Sequence, residues 1–298
     1  MNLSELRISR RTVAMAAVLA GMVSLAIGAH AALNMRALDA AKTIATQQSS
    51  EAAGKRPSRI ALVIGNGHYP DANAPLTQPI NDARALTASL RRDGFDVDVV
   101  EDATKDDMGR AVDRLKSKIR PDSVVMLFFG GYGVQVGRES YMIPVDAAIW
   151  TESDVRHEGL SIESVLDVMK EQGACAKLVV VDASRRNPYE RRFRAFSHGL
   201  APIAAPDNAL ILTSATPGQV ADDSAGQHSV LISELLNNLD SARDANAAEA
   251  GKPVAAEAVF NKTRIAISRA SEGAQVPSVS SSLLEDVSFG VNTANAGG

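Results

Sequence analysis

Apolar runs of strand-forming residues, separated by segments of helical period, dominate this chain from Arg59 onward. The runs cover residues 59–65, 96–102, 123–129, 177–182 and 208–215. Between the first two, the pattern predicts a helix over 82–92. A second helix is predicted over 104–119, where Met108, Ala111, Val112, Leu115 and Ile119 share one face and Thr104 is placed as N-cap. A third, over 161–172, repeats the pattern through Ile162, Val165, Leu166 and Met169, and a fourth covers 229–239. Strands that alternate with helices in this way predict an α/β sandwich, a mostly parallel sheet with helices on both faces.

Outside the alternating region the composition changes. Arg7, Arg10 and Arg11 precede an uncharged run over 12–29, and Ala29-His30-Ala31 supplies an A-x-A cleavage pattern. Residues 1–31 therefore read as an export signal, with a partial twin-arginine match. The competing reading is an uncleaved N-terminal membrane anchor, because a run of about 18 residues reaches the lower limit for spanning a bilayer. Either reading places the folded part outside the cytoplasm, as a periplasmic or exported protein or one tethered to the inner membrane. Residues 32–58, rich in Ala, Gln, Ser and Lys without an apolar period, read as a linker, 59–290 as the folded domain and 291–298 as a tail.

Composition narrows the chemistry. A net charge of −4 with basic and acidic residues interspersed gives no footprint for nucleic acid. The single cysteine, Cys175, excludes an intrachain disulfide and any cysteine-rich metal site, and the five histidines have no metal-ligand spacing. No cofactor is expected. Asp106, Asp107, Asp222 and Asp223 lack the spacing of a dedicated calcium loop and read as surface carboxylates.

Open α/β sheets bind ligands outside the carboxyl ends of their strands, which directs attention to the turns after residues 129 and 182. The first contains Gly130, Gly131, Tyr132 and Gly133, where glycines are expected to supply positive φ and close backbone approach. It lacks the spacing of a dinucleotide loop, and the residues after it read as a hairpin. The second runs Asp182, Ala183, Ser184, Arg185, Arg186.

These two turns resemble the catalytic motifs of caspase-like cysteine peptidases, of the metacaspase and bacterial orthocaspase kind. The resemblance extends in order through residues 61–69, 81–95, 138–147, 184–203, 215–223 and 275–290. It implies a caspase-like three-layer α/β/α sandwich. It also implies that Tyr132 stands where the family has its histidine and Ser184 where it has its cysteine. In the family the histidine polarises the thiol and protonates the leaving amine. A phenol with a reference pKa of about 10 is a poor replacement as proton acceptor, and a serine needs an adjacent base.

By the same resemblance, backbone N–H groups at Gly133 and Ser184 form the oxyanion hole, and Asp82 and Asp182 contact an Arg or Lys side chain of the substrate. The bland readings are a helix N-cap for Asp82 and a strand-end hydrogen-bond acceptor for Asp182. The resemblance thus implies a catalytically impaired binding or regulatory module, with a basic peptide or an active family member as partner. The alternative is an Arg/Lys-directed endopeptidase that uses Ser184 as nucleophile, with His68, His198 or His228 as relocated base. Arg185, Arg186, Arg191, Arg192 and Arg194 read as a solvated loop, with anion binding as the competing possibility. Gln227-His228-Ser229-Val230 replaces the Asn-Ser-Pro-Phe common in the family.

Overall fold

A computed structural model describes residues 57–70, 75–183, 188–189, 199–221, 226–248 and 253–289. The leader, most of the linker, Ser184, the five loop arginines, His198, Asp222, Asp223 and the C-terminal tail lie outside the described residues. Among the described residues no helix is long and apolar enough to cross a membrane.

The central sheet has the order β10-β8-β7-β3-β1-β2. Its strands are β1 (Arg59–Gly65), β2 (Asp96–Glu101), β3 (Val124–Gly130), β7 (Ala176–Asp182), β8 (Ala209–Thr213) and β10 (Ser278–Ser281). The first five run parallel, and β10 adds antiparallel to the β8 edge. A three-stranded sheet of β4 (Gly133–Val136), β5 (Glu139–Met142) and β6 (Leu160–Ser161) follows the end of β3. The predicted hairpin is its β4–β5 pair, closed by Gly137 at φ +66°. Short strands β9 (Val254–Ala255) and β11 (Ser288–Phe289) pair with each other.

Six helices accompany these strands: α1 (Gln78–Arg92), α2 (Lys105–Lys118), α3 (Glu152–Glu158), α4 (Ile162–Glu171), α5 (Val230–Ala248) and α6 (Ala256–Ala270). Strand residues of alternate parity feed two cores. Ala61, Val63, Met126, Phe128, Leu178 and Val180 pack with α1, α5 and α6. Ile60, Leu62, Leu127, Phe129, Val179 and Val181 pack with α2 and α4. Burial on both faces is why β1, β3 and β7 read as unbroken apolar runs instead of alternating ones. The result is the three-layer α/β/α sandwich.

Thr104 caps α2 as the sequence predicts: its Oγ accepts the Asp107 N–H at 3.2 Å while the Asp107 carboxylate accepts the Thr104 N–H at 3.2 Å. Ser161 caps α4 through its Oγ, which accepts the Ser164 N–H at 3.2 Å. Two boundaries differ from expectation. Helix α1 starts at Gln78 and not near Asp82, because Pro79 favours the first helical turn even though Thr77 makes no side-chain cap. Asp82 therefore lies inside α1 and does not cap it. The fourth helix, predicted over 229–239, continues through the Ala-rich stretch after residue 240 to Ala248.

Helix α5 is tied to α1 by a charge network. Arg243 donates to Asp93 at 2.9 Å and to the Ser89 Oγ at 3.1 Å, and it also bonds Asp240. Asp93 is fully buried whereas Arg243 is only slightly exposed. Removing one partner of a buried pair strands the other charge, so Arg243→Ala is expected to destabilise the fold by about 3 kcal/mol in urea denaturation. An unchanged midpoint would show that the network contributes nothing.

Candidate functional site

The parallel strands end in register. Gly65 of β1 pairs with Gly130 of β3, and Gly130 pairs with Asp182 of β7. The two glycines admit the first turn of α1: a Cβ on Gly65 would lie 2.5 Å from the Pro79 carbonyl oxygen, and one on Gly130 would lie 3.4 Å from the Pro79 ring. This close seating carries Asp82, one turn further along α1, to the carboxyl end of the sheet, where it interacts electrostatically with Asp182. The structure thus brings together the two acids that the sequence places 100 residues apart.

Both acids are buried, Asp82 at 0% and Asp182 at 3% exposure. Asp82 does not face an empty cleft. Its two carboxylate oxygens each accept the Ser229 N–H at 3.2 Å, and Oδ1 accepts from His228 Nδ1 at 2.9 Å. Ser229 in turn receives the Ile232 N–H on its Oγ at 3.2 Å, so it caps α5. Asp82 is therefore a carboxylate at the amino end of α5, a favourable place for negative charge. Gln78 and Asn81 reinforce this joint by donating to the Gly226 and Gln227 carbonyls at 3.2 and 3.3 Å. Burial nevertheless dominates the electrostatics. Together with the negative charge of Asp182 it pushes the Asp82 carboxyl up to about 6, against the hydrogen bonds from His228 and Ser229.

The turn after β3 has a different character. Its backbone is stitched to the end of β7: the Gly131 N–H donates to the Asp182 carbonyl at 3.3 Å and the Gly133 N–H to the Ala183 carbonyl at 3.2 Å. A Cβ on Gly131 would sit 2.5 Å from the Tyr69 hydroxyl, and one on Gly133 would sit 2.6 Å from a Leu200 methyl. None of the three glycines here adopts positive φ, contrary to expectation; they serve close packing instead. The Gly133 amide proposed for the oxyanion hole is engaged within the chain in this arrangement.

Tyr132 itself is buried, at 5% exposure. Its N–H donates to the Tyr69 hydroxyl at 3.0 Å, which donates onward to the Ile143 carbonyl at 3.0 Å. The two rings meet edge to face with centroids 4.8 Å apart. All four tyrosines of the chain, Tyr69, Tyr132, Tyr141 and Tyr189, belong to one cluster with Val134, Val136, Ile143 and Ile149. The position that resembles the family histidine is thus occupied by an apolar packing residue.

The candidate bases separate. His68 is held away from β7: its Nδ1 lies 2.5 Å from Asp102 at the end of β2, the sheet edge. Three strand spacings of about 4.8 Å each separate β2 from β7. Of the described candidates, His68 and His228, it is His228 that bonds Asp82, and that link spans 146 residues, so no local motif announced it. Cys175 is half-buried, and burial pushes its thiol up. Asp107 is committed to Thr104 and Arg110. Two surface cavities, of about 270 Å³ beside β8 and β10 and about 540 Å³ beside α2, are lined by none of Tyr132, Asp82 and Asp182.

Residues 58–288 match the family model described as the caspase domain, peptidase family C14. This chain belongs to the caspase-domain family. Over 134 residues it is 31% identical to mucosa-associated lymphoid tissue lymphoma translocation protein 1 of Homo sapiens, an alignment that covers 44% of this chain. The Mus musculus homologue matches to the same extent, and the aligned region spans only 16% of either relative. The crystal structure of caspase-1 from Spodoptera frugiperda is similar with a TM-score of 0.58 at 14% identity, covering 80% of this chain and 92% of that one. At that identity the likeness is one of fold. Within this caspase fold, Tyr132 and the acid pair flank the joined ends of β3 and β7.

The raised Asp82 pKa has a consequence for stability. A folded carboxyl that holds its proton more tightly than the unfolded one contributes most below about pH 4, the unfolded value, and that contribution is lost as pH rises through about 6. Asp82→Asn removes this decline. The difference in unfolding free energy between variant and parent is expected to move by roughly 2–3 kcal/mol in favour of the variant between pH 4 and pH 7. Urea titrations at each pH measure it, and a pH-independent difference would contradict the assignment.

Proposed function

We propose that this caspase-domain chain is a peptide-binding or regulatory module whose pocket accepts a basic side chain and whose family proton-transfer machinery has been lost. The observation that carries the reading is the burial of Tyr132 in an apolar tyrosine cluster at the position that resembles the family histidine. A phenol packed there is a poor general base at neutral pH. Asp82 and Asp182 supply the negative charge that a guanidinium or ammonium group would meet. The partner is a peptide or protein with exposed Arg or Lys, or an active member of the same family. The leader pattern at residues 1–31 supports a module working outside the cytoplasm, exported or held at a membrane.

A second reading rests on one specific contact. His228 is oriented by Asp82 beside Asp182, two residues before Ser184 in the sequence, and an Asp-oriented histidine is the base that a serine nucleophile requires. This reading makes the chain an Arg/Lys-directed endopeptidase with Ser184 as nucleophile.

The discriminating experiment assays the full chain, its Ser184→Ala variant and the double variant Tyr132→His/Ser184→Cys on fluorogenic Arg and Lys peptides, with and without calcium. The binding-module reading expects no turnover by the parent, and binding of Arg peptides that Asp82→Ala and Asp182→Ala abolish. Turnover by the parent that disappears in Ser184→Ala, with fluorophosphonate labelling at Ser184, would overturn it in favour of the peptidase. Because Tyr132→His places a polar ring in an apolar cluster, that substitution is expected to cost about 2 kcal/mol of stability, which thermal melts of the double variant would register.

A further inference from the structure

Among the described residues, the charged groups that face Asp82 are Asp182 from the end of β7 and His228 from the segment leading into α5. His228 lies on the solvent side of the joint: its side chain is 27% exposed, whereas that of Asp82 is 1% exposed. The imidazole is held in place from both directions. Ser229 is fixed by capping α5 and by its two bonds to Asp82, and Gln78 and Asn81 anchor the preceding residues to α1. The ring therefore does not reach Asp82 as a floppy loop residue would; the helix joint aims it there. With a carboxylate as acceptor, its Nδ1 must carry the proton.

We propose that His228 is a built-in gate on the acid pair, whose imidazole holds the Asp82 contact that the guanidinium or ammonium group of a basic peptide must take. The inference rests on the basic-pocket reading and adds its regulation. An incoming Arg or Lys side chain competes with the ring and enters when the ring swings outward into solvent. The Ser229 N–H bonds keep Asp82 and α5 joined while it does so, and the gate opens without unfolding the helix end. The competition also has a direction in pH. Acidification protonates Asp82, whose carboxyl burial and Asp182 push up to about 6, and this removes the charge that a basic ligand needs. Basic ligands are therefore disfavoured below neutral pH.

The test measures fluorescence anisotropy of a labelled arginine peptide, and of the same peptide with citrulline in place of arginine, on the full chain at pH 5.5 and 7.5. His228→Ala is expected to tighten the arginine peptide about tenfold at pH 7.5 and to leave the citrulline peptide unchanged. His228→Gln, which keeps a donor toward Asp82, is expected to stay closed. In the unmodified chain, saturation with arginine peptide should shift the imidazole proton resonance that His228→Gln removes from the spectrum. If the parent binds the arginine peptide in an Asp82-dependent manner but His228→Ala fails to tighten it, the gate is wrong and the pocket stands. If neither protein distinguishes arginine from citrulline, the basic pocket and its gate fall together. Loss of turnover in His228→Ala, in a parent that hydrolyses the peptide, would make the ring a base instead of a gate.

Discussion

Everything at the carboxyl end of the central sheet depends on one row of pairing, Gly65 to Gly130 to Asp182. The parallel register ends three strands at the same level, and two of the three residues in the row lack a side chain. Pro79 can then seat α1 directly on the strand ends, a contact that a Cβ at Gly65 would block at 2.5 Å from its carbonyl. Asp82 reaches Asp182 only because of that seating. The same row lets the turn after β3 lie against the end of β7, where the Gly131 and Gly133 amides find the Asp182 and Ala183 carbonyls. A side chain larger than hydrogen at Gly65 would lift α1 and separate the acid pair before it touched any charged group.

Two environments of opposite character meet at this row. On the α1 and α5 side, two buried carboxylates interact electrostatically, and an imidazole and a helix amide hold one of them, Asp82. On the β4 side, four tyrosines and their aliphatic neighbours make a small separate core. Tyr132 supplies packing on the second side: the Tyr132 amide, the Tyr69 hydroxyl and the Ile143 carbonyl form a continuous hydrogen-bonded chain that ties the turn to the segment directly after β5.

Much of the scaffold was legible in the sequence because its signals are local. Apolar runs of strand length alternating with helix-period segments specify a parallel sheet buried on both faces, and Thr104 announces the start of α2. The start of α1 was less legible, because Thr77 contributes no side-chain cap and only Pro79 marks the first turn. The glycines after β3 suggested conformational freedom. Their actual use, room for Tyr69, Phe129 and Leu200, depends on residues that meet them only through the tertiary fold. His228 shows the same limit: its partner is 146 residues away, and spacing along the chain carries no trace of the contact.

Asp82 also answers a question that motif matching leaves untouched, namely whether an acid in a binding pocket can serve the fold as well. A carboxylate dedicated to ligand would gain from being exposed and unengaged, yet Asp82 is buried and accepts the first free amide ahead of α5. Its negative charge is therefore part of how a 19-residue helix begins, and the helix end offsets some of the cost of burying that charge beside Asp182. Ser229 approaches Asp82 along the backbone, whereas His228 approaches it from the solvent side. In the proposed basic pocket the backbone partner would stay and the imidazole would be the group a ligand displaces, so that a single buried acid would hold the fold together and also serve recognition.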